Sequence, residues 1–320
     1  YDLVLVADAT YNETDLNFNG KKIYLKGVDH NTAGQRPVID CQQAGRAFYF
    51  SLSETKDSVI DNFVIRNGHN SDYGGAIHCT NSSCPTIANC LFSDNRSYWG
   101  GAIWCRYSSD PMIINCTFVG NSVEFYGGAI ACEGSSPSII GCTFSGNSTH
   151  LDGGALFCWM GGSPLIANCV FSGNTASRDG GAIYVVFSSS SIINCTFSGN
   201  NANSGGGAIC CSNQGTATLY NSILWGNFAG SGDEIYVLYS TGSSTLNYCC
   251  VDNTGYGFAS GVPTTTIDDS NNCISVDPQF VDAAGGDYHL KDTSPCIDAG
   301  DNSYVPSGVD KDLDGNERIV

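Results

Sequence analysis

The chain has 320 residues, of which 14% are charged, and its formal net charge is -18. Its 13 Lys and Arg residues argue against nucleic acid and anionic membrane surfaces as partners, because binding to either requires clustered positive charge. No apolar run approaches the length of a membrane-spanning helix, so we expect no membrane insertion. The length is enough for one elongated domain with a sizeable core.

The first predicted strand is the apolar run at residues 3–6, and a regular repeat follows it. Gly-Gly-Ala-(Ile/Leu) begins at Gly74, Gly100, Gly127, Gly153, Gly180 and Gly206, at intervals of 26 or 27 residues. Each of the first five copies is followed by Cys-x-Phe-x-x-Asn, and degenerate copies extend the repeat from about Gly45 to about Asn253. A period in the twenties is typical of a solenoid, in which each repeat buries its apolar side only against its neighbours.

Each period contains short apolar runs of alternating character, separated by Gly, Ser, Asn and Pro. This pattern predicts three short strands and three turns, which fit one coil of a parallel β-helix with coils roughly 4.8 Å apart. A leucine-rich repeat has a similar period, but its Leu frame and helical half are absent. We therefore predict an all-β solenoid over residues 1–254, clearest at 74–227, and an irregular closing segment at 255–320 that packs on it.

Alternation along the strands predicts two inward columns of cysteine. The first contains Cys79, Cys105, Cys132, Cys158 and Cys211, and the second contains Cys90, Cys116, Cys142, Cys169 and Cys195 beside a stack of Phe residues. Neighbours in a column lie one strand spacing apart, beyond the roughly 3.5–4.5 Å between Cβ atoms that a disulfide prefers. We expect buried free thiols, with metal-binding thiolate columns as the alternative. Among the other cysteines, Cys273 with Cys296 is the best disulfide candidate.

The Asn that ends each Cys-x-Phe-x-x-Asn motif is predicted to lie where the chain turns. It would either adopt a left-handed conformation or bond the bend through its side chain. Stacked in register, these residues would form an amide ladder.

The residue between the Ile and Cys of each inward column is predicted to point outward, and it is often aromatic. The resulting candidates for glycan binding are Tyr49, His78, Trp104, Phe157, Tyr184 and Tyr236, together with Trp99, which precedes a Gly-Gly pair, as do Tyr73 and Tyr126. An external column of rings at strand spacing is a surface on which sugar rings can stack. The alternative is that the rings stabilise one another or are covered by a loop.

Two carboxylates are the best local candidates for catalysis. Asp152 and Asp179 precede Gly-Gly in adjacent coils, so they should lie about one strand spacing apart, near the carboxylate separation of retaining glycosidases. His150 and Arg178 are close by in the sequence. The pair could equally bind a cation or lie harmlessly in solvent, and no Lys/Arg cluster exists to hold a uronate.

The chain contains one candidate calcium turn, Asp310-Lys-Asp-Leu-Asp-Gly315. Asp310, Asp312 and Asp314 alternate as oxygen donors in a calcium loop do, and Asp298 or Asp301 could assist. The alternative is an acidic turn paired with Arg318. No other cofactor is expected.

The alternation of Gly-Gly-Ala-Ile with Phe-x-x-Asn resembles the repeat of the polymorphic outer-membrane protein family of surface adhesins. The fuller string Ser-Pro-x-Ile-x-Asn-Cys-Thr-Phe-Ser-Gly-Asn is similar to secreted right-handed parallel β-helix repeat proteins of environmental bacteria. The segments Asp277-Pro-Gln-Phe280 and Ser294-Pro-Cys-Ile-Asp-Ala-Gly-Asp301 resemble the closing part of that second family. The resemblance implies a right-handed β-helix outside the cell or on its surface.

Members of the second family usually carry an amphipathic segment before the first coil and a further strand after the last, and this sequence shows neither. We therefore expect exposed strand edges that could join chains end to end into a filament, with a trimmed chain as the other account. The expected partners are further copies of the chain or extracellular glycans. The predicted function is a structural or adhesive extracellular protein, and the alternative is a polysaccharide-binding protein, a lyase or a glycosidase.

Overall fold

The chain winds into a parallel β-solenoid, which confirms the predicted fold class. The computed structural model describes residues 1–307, 309 and 311–316. Each coil contributes strands to sheets that run the length of the solenoid, and each strand pairs in parallel with the strands one coil before and one coil after it. Phe92 lies opposite Phe118, for example, so equivalent motif residues are in register.

Four sheets form the walls, numbered here in the order in which one coil enters them. The first sheet consists of Asp2–Ala7, Ile23–Val28, Val59–Asp61, Thr86–Ala88, Met112–Ile114, Ser138–Ile140, Leu165–Ala167, Ser189–Ile193, Thr216–Tyr220, Ser243–Asn247 and Ile267–Asn271. The second consists of Thr10–Tyr11, Val38–Asp40, Val64–Arg66, Leu91–Ser93, Thr117–Val119, Thr143–Ser145, Val170–Ser172, Thr196–Ser198, Ile223–Leu224 and Cys250–Val251. The third consists of His69–Tyr73, Arg96–Trp99, Ser122–Tyr126, Ser148–Thr149, Thr175–Ala176, Asn201–Gly205 and Phe228–Ser231. The fourth consists of Phe48–Phe50, Ile77–Cys79, Ile103–Arg106, Ile130–Glu133, Leu156–Trp159, Ile183–Val186, Ile209–Ser212, Ile235–Val237 and Tyr256–Phe258.

The third sheet was not predicted, because a coil was expected to hold three strands. Its strands follow the motif Asn and precede Gly-Gly, where sequences such as Asn201–Gly205 are too polar to indicate a strand. The solenoid also extends past the predicted boundary at residue 254. Tyr256–Phe258 pairs with Ile235–Val237, and Ile267–Asn271 pairs with Ser243–Asn247.

The interior of the solenoid is filled by columns of identical side chains. The rings of Phe92, Phe118, Phe144, Phe171 and Phe197 are fully buried and stack in parallel. Successive ring centroids are 4.8, 4.8, 4.7 and 4.6 Å apart, which is the spacing of the coils themselves. The distance between successive coils therefore determines the distance between successive rings.

The two cysteine columns lie in the same interior. Cys79, Cys105, Cys132 and Cys158 are in register and buried, and the second column is buried as well. In the second column, the backbone N–H of Cys116 donates to Sγ of Cys142 at 3.4 Å. All 17 cysteines lie in the described residues, and no two of them are joined by a disulfide in this structure. Burial raises the pKa of the Cys90 thiol well above its ordinary value, so this sulfur is a neutral, weakly polar group.

A buried ladder of asparagine side chains closes the bend between the second and third sheets. It contains Asn95, Asn121, Asn147, Asn174, Asn200 and Asn227, whose consecutive Nδ2 and Oδ1 atoms are 2.9, 2.9, 2.9, 2.8 and 2.8 Å apart. Each Nδ2 also donates to a backbone carbonyl of the preceding coil, such as the carbonyl of Phe118 for Asn147 at 3.0 Å. Backbone groups at the bend thus find partners where strand pairing is interrupted.

Of the two predictions for these Asn residues, the structure shows the side-chain-bonded form. The left-handed residue is the one before the ladder Asn, with φ of 63° at Gly120, 62° at Gly146 and 69° at Gly199. At the last ladder position, Asn227 donates from Nδ2 to Oε2 of the buried Glu234 at 2.6 Å. Glu234 therefore takes the place of the next asparagine.

The Gly-Gly pair is required by a tight bend into the fourth sheet. Gly127 has φ of 71°, and a Cβ there would lie 2.4 Å from the carbonyl oxygen of Ile130. A Cβ on Gly128 would lie 2.0 Å from the carbonyl oxygen of Gly154 in the next coil. No side chain fits at either position, which explains the repetition of the pair.

The closing segment runs back along the outside of the solenoid as a strap, defined here as residues 294–307 with 309 and 311–316. Asn221 donates from Nδ2 to the carbonyl of Asp301 and accepts from its N–H, both at 2.9 Å. Asn168, two coils nearer the start, donates to the carbonyl of Lys311 at 2.9 Å. Before the strap come the antiparallel strands Phe280–Asp282 and Asp287–Leu290. Short 3-10 helices lie at Asn253–Gly255, Thr264–Thr266, Ala283–Gly285 and Asn302–Tyr304.

Candidate functional site

The outward column on the fourth sheet is in register but buried, so the prediction of an open aromatic platform is wrong for most of its members. Trp104 pairs with His78 on one side and Ala131 on the other, and Phe157 pairs with Tyr184. The exposed fractions of His78, Trp104, Phe157 and Tyr184 are 7%, 1%, 4% and 6%. Tyr49 and Tyr236, at the two ends of the column, are partly exposed.

The residues that cover this column come from the third sheet. Tyr73, Trp99 and Tyr126 end strands of that sheet and pack against the fourth-sheet side chains as a second apolar cluster outside the tube. Ring centroids are 5.1 Å apart for Tyr73 with Trp104 and 4.5 Å apart for Tyr126 with Phe157. The sequence correctly predicts that the rings before Gly-Gly lie near the outward rings of the fourth sheet. It does not predict the third sheet, whose strands place the first group of rings over the second.

His78 is held neutral within this cluster. Its Nδ1 lies 2.7 Å from Nη1 of Arg46, which donates to it. Burial, followed by the charges of Arg46 and Arg106, lowers the pKa of His78 to about 3. His78 therefore stabilises the cluster and is not a surface ligand.

An exposed groove lies on the outer face of the same third-sheet strands. Its volume is about 420 Å³, and its lining residues are His69, Arg96, Ser97, Tyr98, Glu124 and Phe125. Tyr98 and Phe125 lie on neighbouring coils with ring centroids 5.6 Å apart and exposed fractions of 45% and 41%. Each directly precedes a residue that packs on the outer aromatic cluster, Trp99 or Tyr126, so its side chain lies on the other side of the chain, toward solvent.

The register of the third sheet shifts at this groove. Ser97 pairs with Val123 and Trp99 with Tyr126, so two residues of the second strand oppose Tyr98 alone. Such a bulge re-aims side chains beside binding sites. The sequence signal for the groove is a pair of adjacent aromatic residues before Gly-Gly, and the sequence prediction included only the second residue of each pair.

Charged side chains form a connected rim on the groove. Arg96 donates from Nη2 to Oε1 of Glu124, and Nδ1 of His150 lies 2.9 Å from Oε2 of the same carboxylate. The hydrogen bond from His150 and then that from Arg96 hold the pKa of Glu124 below its ordinary value. The rim thus combines one carboxylate with two basic groups.

Asp152 and Asp179 do not form an open catalytic pair. They occupy the position before Gly-Gly, which Trp99 and Tyr126 fill in earlier coils, and their exposed fractions are 1% and 5%. Arg178 donates from Nε to Oδ1 of Asp152 at 2.7 Å and from Nη2 to its other oxygen. Burial, followed by the charge of Asp152, raises the pKa of Asp179 to about 6. Both carboxylates are buried and form ion pairs with Arg178, so the structure gives this pair a role in packing beside the bend.

The candidate calcium turn lies partly outside the described residues, since Asp310 and Arg318 are not among them. Oδ1 of Asp312 accepts from the N–H groups of Asp314 and Asn316 at 3.0 and 2.7 Å. Oδ2 of Asp314 lies 2.6 Å from Nε2 of His289. Within the described part of the chain, no three His, Cys, Asp or Glu residues are arranged to hold a metal ion. Calcium binding at Asp310, Asp312 and Asp314 stays a prediction.

The predicted pairing of Cys273 with Cys296 is not formed in this structure, where both are free thiols. The thiol of Cys273 interacts with Cys249, and the thiol of Cys296 interacts with Cys250. The pairing failed because Cys273 continues the inward position of the second column, whereas Cys296 belongs to the strap.

Comparison with known protein families identifies the family to which this solenoid belongs. The family model for the right-handed β-helix region matches residues 7–176, more than half of the chain. The chain belongs to the right-handed β-helix family. Within this right-handed β-helix protein, residues 168–186 and 194–212 also match the Chlamydia polymorphic membrane protein repeat. No curated protein matches the chain.

These matches suggest a surface-type β-helix protein, as the repeat resemblance predicted. Among the described residues, no helix is long and apolar enough to cross a membrane.

Proposed function

We propose that this β-helix protein is an extracellular adhesin that binds neutral glycans in the groove between Tyr98 and Phe125. The observation that carries the proposal is the pair of exposed rings on adjacent coils, 5.6 Å apart, beside a rim of hydrogen-bonding groups. Flat rings with polar neighbours suit the apolar face of a pyranose. The similarity to polymorphic membrane protein repeats supports a location at the cell surface.

Rigid packing behind the rings supports binding at this position. Trp99 lies 4.7 Å from Tyr126 and 6.2 Å from Phe125 between ring centroids, so the groove rests on the buried aromatic cluster. Residues held by such packing lose little conformational freedom when a ligand binds. Affinity can therefore come from a few contacts.

The charges on the rim favour a neutral sugar over an acidic one. Arg96 and His150 both engage Glu124, so neither basic side chain is available to pair with a uronate carboxylate without breaking an existing contact. Sugar hydroxyls, in contrast, both donate and accept, so they suit a mixed rim.

The test is a titration of the full chain with soluble neutral oligosaccharides, followed by the fluorescence of its Trp residues. We expect saturable binding that Tyr98→Ala or Phe125→Ala weakens about tenfold, or ~1.4 kcal/mol, as for loss of one stacked ring. Tyr107→Ala is the matched control, since Tyr107 is 55% exposed and does not line the groove. Equal affinity of all three variants, or no binding in a broad glycan screen, would refute the proposal.

Self-association is a second candidate function, favoured by the first strand. Asp2–Ala7 is the outermost strand of the first sheet, and Leu3 and Leu5 are 56% and 59% exposed. An apolar cavity of about 330 Å³ lies beside it, lined by Val4, Val6 and Phe18 among others. Edge strands with apolar side chains pair readily with another chain. Sedimentation at high concentration should show assemblies that Leu5→Lys disperses, and a monomer at every concentration would exclude this candidate.

A further inference from the structure

Two thiols meet at the point where the strap leaves the last coil. Cys250 lies in the strand Cys250–Val251 of the second sheet, and Cys296 lies in the strap. Both line one cavity of about 320 Å³ between the solenoid and the strap. Sγ of Cys250 also donates to the carbonyl oxygen of Val276 at 3.2 Å. Neither residue belongs to the inward cysteine columns.

We propose that Cys250 and Cys296 form a disulfide that ties the strap to the last coil. Both residues line the same cavity, Cys250 from a strand of the solenoid and Cys296 from the strap, and their thiols interact with each other. Column neighbours, in contrast, extend side chains in parallel from strands at a fixed spacing, which disfavours the geometry of a disulfide. The proposed bond therefore differs from every contact inside the tube.

The neighbouring pair, Cys249 and Cys273, is arranged like neighbours in the inward cysteine columns. Cys250 pairs with Ile274 in parallel, so Cys249 and Cys273 occupy equivalent positions of adjacent coils. Cys249 is 1% exposed and packs in the interior. We expect this pair to remain reduced.

Formation of the bond requires an oxidant, and a small disulfide such as oxidised glutathione supplies it. The Cys296 thiolate attacks one sulfur of oxidised glutathione, which forms a mixed disulfide and releases one glutathione. The sulfur of Cys250, after losing its proton, displaces the second glutathione. Two protons and two electrons thus pass from the protein thiols to two glutathione molecules. The hydrogen bond from Cys250 lowers the pKa of the Cys296 thiol, and Cys296 is partly exposed, so it is the residue suited to the first attack.

The test uses the exposed Lys291, which lies between the two cysteines in the sequence. The full chain is incubated with oxidised glutathione, cleaved by limited trypsin digestion, and compared on gels with and without reductant. We expect the fragment that begins at Asp292 to remain attached without reductant and to be released with it. Cys250→Ser and Cys296→Ser should release the fragment in both conditions, whereas the matched control Cys273→Ser should retain it.

Alkylation and mass measurement give a second, variant-free readout on the oxidised protein. We expect two of its 17 thiols to be protected and fifteen to be alkylated after unfolding. A melting temperature higher after oxidation than after reduction should accompany this protection and be absent from Cys296→Ser. Alkylation of all thiols, or a link between Cys273 and either Cys249 or Cys296, would overturn the proposal.

Discussion

Replacing Asn147 by alanine should destabilise the protein more than any surface change. The side chain of Asn147 is fully buried and makes four hydrogen bonds. Its Oδ1 accepts from the N–H and the Nδ2 of Asn121 at 3.1 and 2.9 Å, and its Nδ2 donates to the carbonyl of Phe118 and to Oδ1 of Asn174 at 3.0 and 2.9 Å. With alanine at position 147, three groups lose a hydrogen bond: the N–H and the Nδ2 of Asn121 and the carbonyl of Phe118. Oδ1 of Asn174 still accepts from the backbone N–H of residue 147.

The magnitude follows from the cost of a buried polar group that has lost its partner, about 1–3 kcal/mol each. Three such groups give roughly 3–5 kcal/mol if water entering the site recovers part of the loss. For a domain of this size, that corresponds to a fall in Tm of roughly 6–15 °C.

The assay is thermal and denaturant unfolding followed by far-ultraviolet circular dichroism. The matched control is Asn201→Ala, because Asn201 follows the ladder residue Asn200 but is exposed. We expect Asn201→Ala to change the free energy of unfolding by less than about 0.5 kcal/mol. If the two substitutions changed the free energy of unfolding equally, the hydrogen bonds from the ladder to backbone groups at the bend would not contribute to stability.

Three other outcomes follow from the same structure. Burial raises the pKa of Glu234 to about 7 from an ordinary value of 4.5, so its contribution to stability is complete below about pH 4.5 and is lost as the pH rises through 7. This corresponds to about 3 kcal/mol, and Glu234→Gln should flatten the dependence of Tm on pH between 5 and 8, whereas an unchanged slope contradicts this account. Phe144→Ala should cost about 3–5 kcal/mol in denaturant unfolding, and a cost near that of an exposed site would contradict the buried stack. If the turn at Asp312 and Asp314 binds calcium, added Ca²⁺ should raise the Tm and Asp312→Asn should abolish the rise, and a Tm unchanged by Ca²⁺ or a chelator removes that proposal.

The interior was predictable because a two-residue period fixes which side chains point inward. Positions such as Cys105 and Phe118 alternate with polar or variable residues, and the repeat places each over its counterpart in the next coil. The third sheet could not be predicted in the same way. Residues 201–205 have no apolar alternation, and their strand depends on backbone pairing with residues 228–231 one coil later.

The candidate groove was only partly predictable. Alternation identifies Trp104 as pointing away from the tube, but it cannot show that Trp99 of another sheet will cover it. The outward direction of Tyr98 depends on the unpredicted third strand and on its bulge. The contact of Cys250 with Cys296 depends on the path of the strap, which has no repeat from which to read it.

The asparagine ladder also gives the solenoid an electrical polarity. Every amide from Asn95 to Asn200 donates toward the next coil, so the group dipoles add along the axis with their positive ends toward Asn227. Hydrogen bonds aligned in this way polarise and strengthen one another. The carboxyl group of Glu234 lies at the positive end of this column and accepts the last hydrogen bond of the ladder. A whole coil could therefore be gained or lost between Asn95 and Asn227 during evolution, since both the alignment and its terminal acceptor would survive.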